Sequence, residues 1–183
     1  MATMLYPEER DAEIPLSVEQ AREIMGPRYE LQGLIGAGAS SVVFRVADRA
    51  EKGQLRAVKV VPLDSSPEAV EHLRSEFILG SRLSHPNLLH YFDLQIGPEE
   101  DYALVATEFF EGQHFTRAAT GGNWRRACGL LIELLRGLQF LHESGIVHAD
   151  IKPSNILCRW AEDGPELKLL DYHLAVEEAD LER

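Results

Sequence analysis

Three short segments rich in β-branched and apolar residues follow one another between residues 29 and 61, separated by turn residues. Their sequences are YELQGLIGAG, SVVFRVADR and QLRAVKVVP. Strands with no helix between them pair most simply as antiparallel neighbours. Two more such segments, NLLHYFDLQI and YALVATEFF, lie on either side of the turn GPEED. The pattern predicts a five-stranded antiparallel sheet in an α+β fold, and it excludes an alternating parallel-sheet fold.

Helical periodicity marks three further segments. Ser17 and Gln20 have the spacing of a capping box at the start of a short helix over SVEQAREIM. Apolar spacing predicts a second helix over residues 67–83 and a third over residues 123–143, which ends before Gly145. The short strands NILCRW and LKLLD are predicted after the third helix.

Charge and cysteine content exclude several classes of protein. The 183-residue chain carries a formal net charge of −12 and has no basic stripe, so a nucleic-acid partner is not expected. Cys128 and Cys158 form neither a CxxC motif nor a Cys/His ligand spacing, which argues against a disulfide framework or a zinc site. The acidic N-terminus is unlike a signal peptide, and the apolar stretches are too short to span a bilayer. A cytoplasmic protein without a membrane segment is predicted.

The stretch GIVHADIKPSNIL places an acid, a base and a carboxamide between apolar residues. Asp150 can accept a proton, Lys152 can neutralise a phosphoryl oxygen, and Asn155 can offer an uncharged oxygen to a metal ion. Asp171 ends the apolar run LKLL, where a divalent cation would explain a carboxylate. The alternative for each is an ordinary turn or cap residue, since Asp and Asn are common in turns.

Two segments nearer the N-terminus have a similar ambiguity. Gly36, Gly38 and Ser41 form a Gly-rich connection that could approach phosphate oxygens or simply be a hairpin turn. A strand rather than a helix follows, so a Rossmann dinucleotide site is excluded. Lys59 lies among apolar residues in AVKVV and requires an anionic partner unless it reaches solvent from an edge strand. Glu76 is the candidate partner; its alternative is a helix-surface glutamate.

Taken together, these motifs resemble those of a protein kinase of the Ser/Thr type often found in bacteria, and the match runs from about residue 29 to residue 175. GAGASSVV resembles the Gly-rich loop with Ser41 in place of the third glycine, and AVK the strand-three lysine motif. Glu76, nine residues before HPN, matches the helix-C glutamate. VATEFFEG resembles the hinge, HADIKPSN the catalytic loop and DYHLA the Asp-Phe-Gly segment.

The resemblance implies a role for each matching residue. Lys59 would hold the α/β-phosphates of ATP and pair with Glu76. Asp150 would be the catalytic base, and Lys152 would steady the transferred phosphoryl group. The implied Mg²⁺ ligands are Asn155 and Asp171. The implied nucleotide-binding residues, besides Lys59, are Ile35, Gly36, Gly38, Ser41, Val43, Ala57, Glu108, Phe110 and Leu157.

Several positions depart from the family pattern. Ala149 stands where most members have an arginine that grips a phosphorylated activation loop, so dependence on that switch is not expected. His173 replaces the glycine of the Asp-Phe-Gly segment, where backbone angles costly to other residues are usual. Gly80 replaces a larger apolar residue one turn after Glu76 and predicts a loosely held helix. The sequence ends at Arg183, before the activation segment and later helices of the family.

The sequence therefore predicts a fragment of a Ser/Thr protein kinase that uses ATP and Mg²⁺ and acts on a protein hydroxyl, with further domains beyond Arg183. Its expected parts are an N-terminal extension (1–28), an N-lobe with hinge (29–110) and an incomplete, helical C-lobe (111–183). Without the later helices, the leucines of the third helix would be exposed: Leu131, Leu134, Leu138 and Leu141. The alternatives are a non-catalytic nucleotide-binding or interaction module and a small-molecule kinase of the same fold.

Overall fold

The computed structural model describes residues 16–37, 41–63, 67–99, 101–119, 124–177 and 179. Gly38 and most of the predicted N-terminal extension (1–28) lie outside these residues. The chain forms two compact units, Met1–Phe77 with Tyr91–Phe109, and Ile78–His90 with Phe110–Arg183.

The first unit is built on a five-stranded sheet, as predicted. Its elements in chain order are α1 (Val18–Met25), β1 (Tyr29–Ala37), β2 (Val42–Asp48), β3 (Gln54–Pro62), α2 (Pro67–Arg82), β4 (Tyr91–Ile96) and β5 (Tyr102–Glu108). The strand order is β1-β2-β3-β5-β4, and every neighbouring pair is antiparallel. The last residues of α2, after Phe77, belong to the second unit.

The strand predicted over NLLHYFDLQI is shorter than expected. It begins at Tyr91, because the backbone groups of the preceding residues are bonded elsewhere. The Asn87 carbonyl accepts from the Leu169 amide (2.8 Å), and the Leu89 amide donates to the Leu169 carbonyl (2.9 Å). A backbone group already paired in this way cannot also join the edge of the sheet.

Helix α1 covers one face of the sheet. Its N-cap Ser17 accepts a hydrogen bond from the Gln20 amide, and the Gln20 side chain accepts one from the Ser17 amide, so the predicted capping box is present. The buried residues Ala21 and Met25 join a single apolar cluster with the inward side chains of the sheet. These sheet residues are Tyr29, Ala37, Val42, Phe44, Val46, Val58, Val60, Leu104 and Ala106.

Ion pairs link the start of β1 to β2 and β4. The Arg28 guanidinium donates two hydrogen bonds to the Asp48 carboxylate, at 3.0 and 2.9 Å, and also contacts Asp93. Asp48 is 2% exposed. A buried carboxylate needs such a partner to offset the loss of its hydration.

The second unit contains most of the helical residues and two small sheets. Its remaining elements are β6 (Gln113–His114), α3 (Phe115–Ala119), α4 (Trp124–Glu143), β7 (Ile146–Val147), β8 (Ile156–Ala161), β9 (Gly164–Leu169) and β10 (Val176–Glu177). Strands β6, β8 and β9 form one antiparallel sheet, and β7 pairs antiparallel with β10. Helix α3 has only five residues.

The prediction that a leucine stripe of α4 is exposed is wrong for Leu134 and Leu141, which are 8% and 0% exposed. Strands β7 and β9 of the same unit pack against this helix and cover that face. The exposed apolar residues lie on a different face of α4. They are Trp124, Leu131, Ile132 and Leu135.

Among the residues that the structure describes, none of the helices has the length and apolar character needed to cross a membrane.

Candidate active site

Lys59 lies on the face of the sheet opposite the α1 cluster. Strand β3 alternates, with Val58 and Val60 fully buried in the cluster and Lys59 partly buried on the other side. Directly opposed residues of antiparallel strands share a face. Lys59 is opposed to Val43 on β2 and to Val105 on β5. The predicted phosphate lysine therefore stands among apolar side chains.

The same face carries most of the other predicted nucleotide residues of this unit. Ala57 is opposed to Thr107, and Gly36 is opposed to Val43. Ser41 immediately precedes β2 and is partly buried. The remaining two predicted residues, Ile35 and Glu108, lie at an irregularity of β1 and at the end of β5.

Glu76 is buried on α2 and accepts a hydrogen bond from the Tyr91 hydroxyl at 2.7 Å. Lys59 forms no ion pair with any residue that the structure describes, so the expected pairing of Lys59 with Glu76 is not present in this conformation. Helix α2 is continuous through the buried Gly80. Tyr91 is thus the residue that satisfies the buried carboxylate.

The segment after α4 is anchored by a buried histidine. Gly145 has φ 71° and ends the helical path. His148 is 1% exposed, and its Nε2 lies 3.0 Å from the Leu170 carbonyl oxygen. A carbonyl can only accept, so Nε2 carries the proton and donates. Burial lowers the pKa of His148, which favours this neutral form.

Asp150 is held by two side chains of its own loop. The Lys152 ammonium contacts Asp150 Oδ2 at 2.6 Å, and the Asn155 amide nitrogen donates to the same oxygen at 2.8 Å and to the Asp150 carbonyl at 3.0 Å. A short 3₁₀ helix, Pro153–Asn155, brings Asn155 back towards Asp150. Ala149, with φ 60°, makes the turn before it.

The protonation states of this pair follow from their contact. The hydrogen bond from Lys152 holds the pKa of Asp150 below its ordinary value, and the same bond raises the pKa of Lys152. Each charge therefore stabilises the other, and at neutral pH Asp150 is a carboxylate that can accept a proton.

Strands β8 and β9 lead the chain to Asp171. The Leu170 amide donates to the Asn155 carbonyl at 2.8 Å, which fixes this position next to the catalytic-loop segment. The buried Tyr172 donates through its hydroxyl to the Leu89 carbonyl at 3.0 Å. The positive φ of this segment, 65°, falls on Asp171 and not on His173. The histidine is therefore accommodated without left-handed backbone strain.

Asn155 and Asp171 offer the oxygen atoms that Mg²⁺ prefers. The Asn155 amide nitrogen is used for Asp150, which leaves its carbonyl oxygen as a ligand atom. His173 contacts Oδ1 of Asp171, and no described residue bonds to Oδ2. One carbonyl and one carboxylate oxygen are a suitable partial set for a hard cation that keeps several waters.

The other two predicted nucleotide residues belong to the second unit. Phe110 is partly buried, with the Arg159 guanidinium 4.8 Å from its ring centroid. Leu157 lies on β8 opposite His114. Thus the structure brings together Val43, Ala57 and Lys59 within one unit, and Asp150, Lys152, Asn155 and Asp171 within the other.

The structure adds two residues to the candidate site, Tyr91 and His173, which are not site residues in the sequence prediction. The sequence places Tyr91 in an apolar strand, and a buried tyrosine usually places its hydroxyl against a polar partner. The sequence marks His173 as a replacement for glycine, and in the structure its Nδ1 lies 2.7 Å from Asp171 Oδ1. The spacing Asp-x-His was the available signal for this second contact.

Comparison with known proteins agrees with these motifs. The chain is 27% identical over 169 residues to calcium/calmodulin-dependent protein kinase type 1 of Caenorhabditis briggsae, covering 91% of this chain and 46% of that protein. It is 30% identical over 156 residues to serine/threonine-protein kinase pkn2 of Myxococcus xanthus, covering 83% and 18%. Calcium/calmodulin-dependent protein kinase type IV of Mus musculus is 31% identical over 156 residues, covering 84% and 32%.

The chain spans less than half the length of these relatives. The sequence model of the protein kinase domain family matches residues 29–182, which is most of the chain. The five-stranded sheet, the lysine on β3 and the Asp150 loop lie within that match. The chain therefore belongs to the protein kinase domain family.

Proposed function

We propose that this chain carries the nucleotide-binding and catalytic part of a Ser/Thr protein kinase, which transfers the γ-phosphoryl group of ATP to a protein hydroxyl. The observation that carries the proposal is the bonded set of Asp150, Lys152 and Asn155. A carboxylate held between a cation and an amide has little freedom to change its direction. Such positioning is the main protein contribution to phosphoryl transfer.

Asp150 is the base in this proposal. Its carboxylate accepts the proton of the Ser or Thr hydroxyl as the hydroxyl oxygen bonds to the γ-phosphorus. The bond between that phosphorus and the bridging oxygen breaks, and ADP leaves. Lys152 is close enough to Asp150, at 2.6 Å, to place positive charge beside the transferred group. Its lysine identity favours Ser/Thr over tyrosine substrates and argues against a small-molecule kinase.

The nucleotide residues have matching tasks. Lys59 binds the α/β-phosphates. By resemblance to the family, Ile35, Val43, Ala57 and Leu157 are assigned as adenine contacts, and Glu108 and Phe110 as the hinge residues. Asn155 and Asp171 hold Mg²⁺, which supplies positive charge to the phosphate oxygens when bound. Residues 29–110 and 111–183 are assigned as the N-lobe with its hinge and the C-lobe portion.

Transfer of labelled phosphate from ATP to a generic protein substrate tests this proposal. Asp150→Asn keeps the size of the side chain but removes the base, and should reduce transfer by about 10²-fold or more while nucleotide binding persists. Asp163→Asn, at an exposed turn between β8 and β9, is the matched control and should retain activity. Transfer that is unchanged in Asp150→Asn would contradict the assignment of the base.

A second candidate function is nucleotide binding without transfer. It is favoured by one observation, that the structure shows no ion pair between Lys59 and Glu76. Calorimetric titration with ATP and Mg²⁺, run on the wild type and on Lys59→Ala, separates the two functions. Lys59-dependent binding with no transfer to any protein would establish the binding module. Lys59-dependent binding with transfer would establish the kinase, and labelling of small hydroxyl compounds alone would instead indicate a small-molecule kinase.

A further inference from the structure

Asp150, Asp171 and His173 form a cluster that the proposed catalytic roles do not explain fully. One ligand atom from each lies within 4.8 Å of the other two. We propose that these three residues bind a transition-metal cation such as Zn²⁺ or Co²⁺, and that an ion held there inhibits phosphoryl transfer. The inhibitory consequence rests on the proposed function, whereas the binding site does not.

The spacing of the cluster suits a single ion. His173 Nδ1 and Asp171 Oδ1 are 2.7 Å apart. Two neighbouring ligands at about 2.1 Å from one octahedral ion are separated by about 3 Å. The two atoms are hydrogen-bonded in this structure and are therefore close to the separation that coordination requires; an ion would replace that hydrogen bond.

Each ligand residue has an atom available for the metal. Lys152 and Asn155 both bond to Oδ2 of Asp150, which leaves Oδ1. Asp171 Oδ2 has no bonding partner among the described residues. A carboxylate only accepts hydrogen bonds, so the 2.7 Å contact makes His173 Nδ1 the donor, and coordination through this nitrogen requires that the imidazole proton move to Nε2.

Solvent can deliver an ion to this cluster. The side chain of His173 is 44% exposed, that of Asp171 29% and that of Asp150 18%. Partial exposure leaves room for water to complete the coordination shell.

The imidazole of His173 determines which metal ions the proposed site prefers. Mg²⁺ prefers a shell of oxygen atoms, whereas imidazole nitrogen binds Zn²⁺ and other later transition ions well. The family pattern has glycine at the position of His173 and offers only oxygen ligands there. The histidine therefore adds an ion preference that is particular to this chain.

Occupation of the site would interfere with catalysis in two ways. Asp150 cannot accept a hydroxyl proton through an oxygen that is bound to a cation. Asp171 would also bind the transition ion, which would lie towards Asp150 and away from the position proposed for Mg²⁺. Transition ions are therefore expected to inhibit the Mg²⁺-supported reaction.

Binding is tested directly on the nucleotide-free chain. Co²⁺ is titrated by visible absorption, and Zn²⁺ by its displacement of Co²⁺. His173→Gly, which restores the family residue, should weaken Co²⁺ and Zn²⁺ binding by about 10-fold or more. Mg²⁺ binding with nucleotide, followed by calorimetry, should change less than about 2-fold. His72→Ala, at an exposed position of α2, is the matched control and should bind like the wild type.

Equal Co²⁺ affinity for the wild type and His173→Gly would overturn the site. A conservative variant, His173→Gln, is tested in parallel, and thermal unfolding confirms that each variant is folded. If the chain transfers phosphate with Mg²⁺ and Zn²⁺ inhibits the wild type but not His173→Gly, the inhibitory role is supported; equal inhibition of both overturns it. Metal binding that needs His173 in a chain without transfer activity leaves the site intact and contradicts the proposed function instead.

Discussion

Glu76 illustrates how one hydroxyl can satisfy a buried charge. The carboxylate is 9% exposed, and only its Oε1 receives the Tyr91 hydroxyl, at 2.7 Å. A carboxylate can accept more than one hydrogen bond, so the bond to Oε1 leaves Oε2 as a second acceptor. The Tyr91 hydroxyl therefore holds one oxygen of Glu76, and this bond does not by itself exclude the proposed pairing with Lys59.

Replacement of Tyr91 by phenylalanine removes this hydrogen bond and leaves the ring in place. We expect the free energy of unfolding to fall by about 1–3 kcal/mol, because a buried charged acceptor loses its partner. ATP affinity should fall as well, since the orientation of Glu76 is no longer fixed. Urea unfolding and ATP titration measure the two effects.

Tyr102→Phe provides the control for Tyr91→Phe. Tyr102 lies on β5 and is partly buried, and no hydrogen bond of its hydroxyl is observed among the described residues. Tyr102→Phe should change neither the free energy of unfolding nor the affinity for ATP. If Tyr91→Phe and Tyr102→Phe behave alike, the hydroxyl of Tyr91 has no positioning role.

Asp48 makes the stability of the first unit sensitive to acid. Its hydrogen bonds from Arg28 hold its pKa below the ordinary value, so the unfolded chain binds this proton more readily than the folded chain. The stabilisation is complete above the unfolded pKa, and it is lost as the pH falls through the lower folded pKa. The Arg28–Asp48 contribution should therefore disappear only in strong acid.

Asp48→Asn tests this dependence. At about pH 7 the variant should be less stable than the wild type by about 2 kcal/mol, since the charged hydrogen bonds are weakened. The difference should shrink as the pH falls through the lowered folded-state pKa of Asp48, because the carboxyl is then protonated in both states. Urea unfolding at several pH values measures it, and a difference that stays constant with pH would contradict the assignment.

Helix α1 is an integral part of the sheet unit. It has only eight residues, too few to be stable in isolation, so its order comes from the packing of Ala21 and Met25 and from its cap. The segment before the kinase match therefore contributes to the core of the domain.

The contribution of α1 can be measured through its cap. Ser17→Ala should lower the free energy of unfolding by about 1 kcal/mol, because the Gln20 amide loses its acceptor. Arg22→Ala, on the exposed side of the same helix, should have little effect. Cooperative unfolding that is unaffected by Ser17→Ala would show that α1 does not stabilise the unit.

An exposed apolar face of α4 affects the behaviour of the chain in solution. Trp124, Leu131, Ile132 and Leu135 are between 43% and 66% exposed. Contiguous exposed apolar residues on one helix promote association between molecules. The 183-residue chain is therefore expected to self-associate in a concentration-dependent way.

Leu135→Glu should reduce this association and leave the stability of the chain unchanged, because residue 135 is 62% exposed. Sedimentation velocity at several concentrations measures the association, and thermal unfolding measures the stability. Leu134→Glu serves as the contrast: it places a charge at a buried site and should unfold the second unit. Association that persists in Leu135→Glu would show that another surface is responsible.

Much of the fold was predictable because its signals are local. The capping box of α1, the alternation of β3 and the helical period of α4 depend on residues a few positions apart, and the structure confirms each of these elements. The two-residue strands β6, β7 and β10 were not predicted. Such short strands have no pattern of their own and exist because distant backbone groups complete their hydrogen bonds.

The sequence by itself determined the sheet, the principal helices and the chemical types of the site residues, since alternation, capping and motif spacing act over short distances along the chain. Tertiary structure decided which partner each buried group found. Glu76 accepts a hydrogen bond from Tyr91, the Leu170 carbonyl accepts one from His148, and packing of β7 and β9 selected the buried face of α4. These outcomes depend on contacts between residues far apart in sequence or on side-chain geometry, and the desolvation of polar groups requires that each be satisfied in three dimensions.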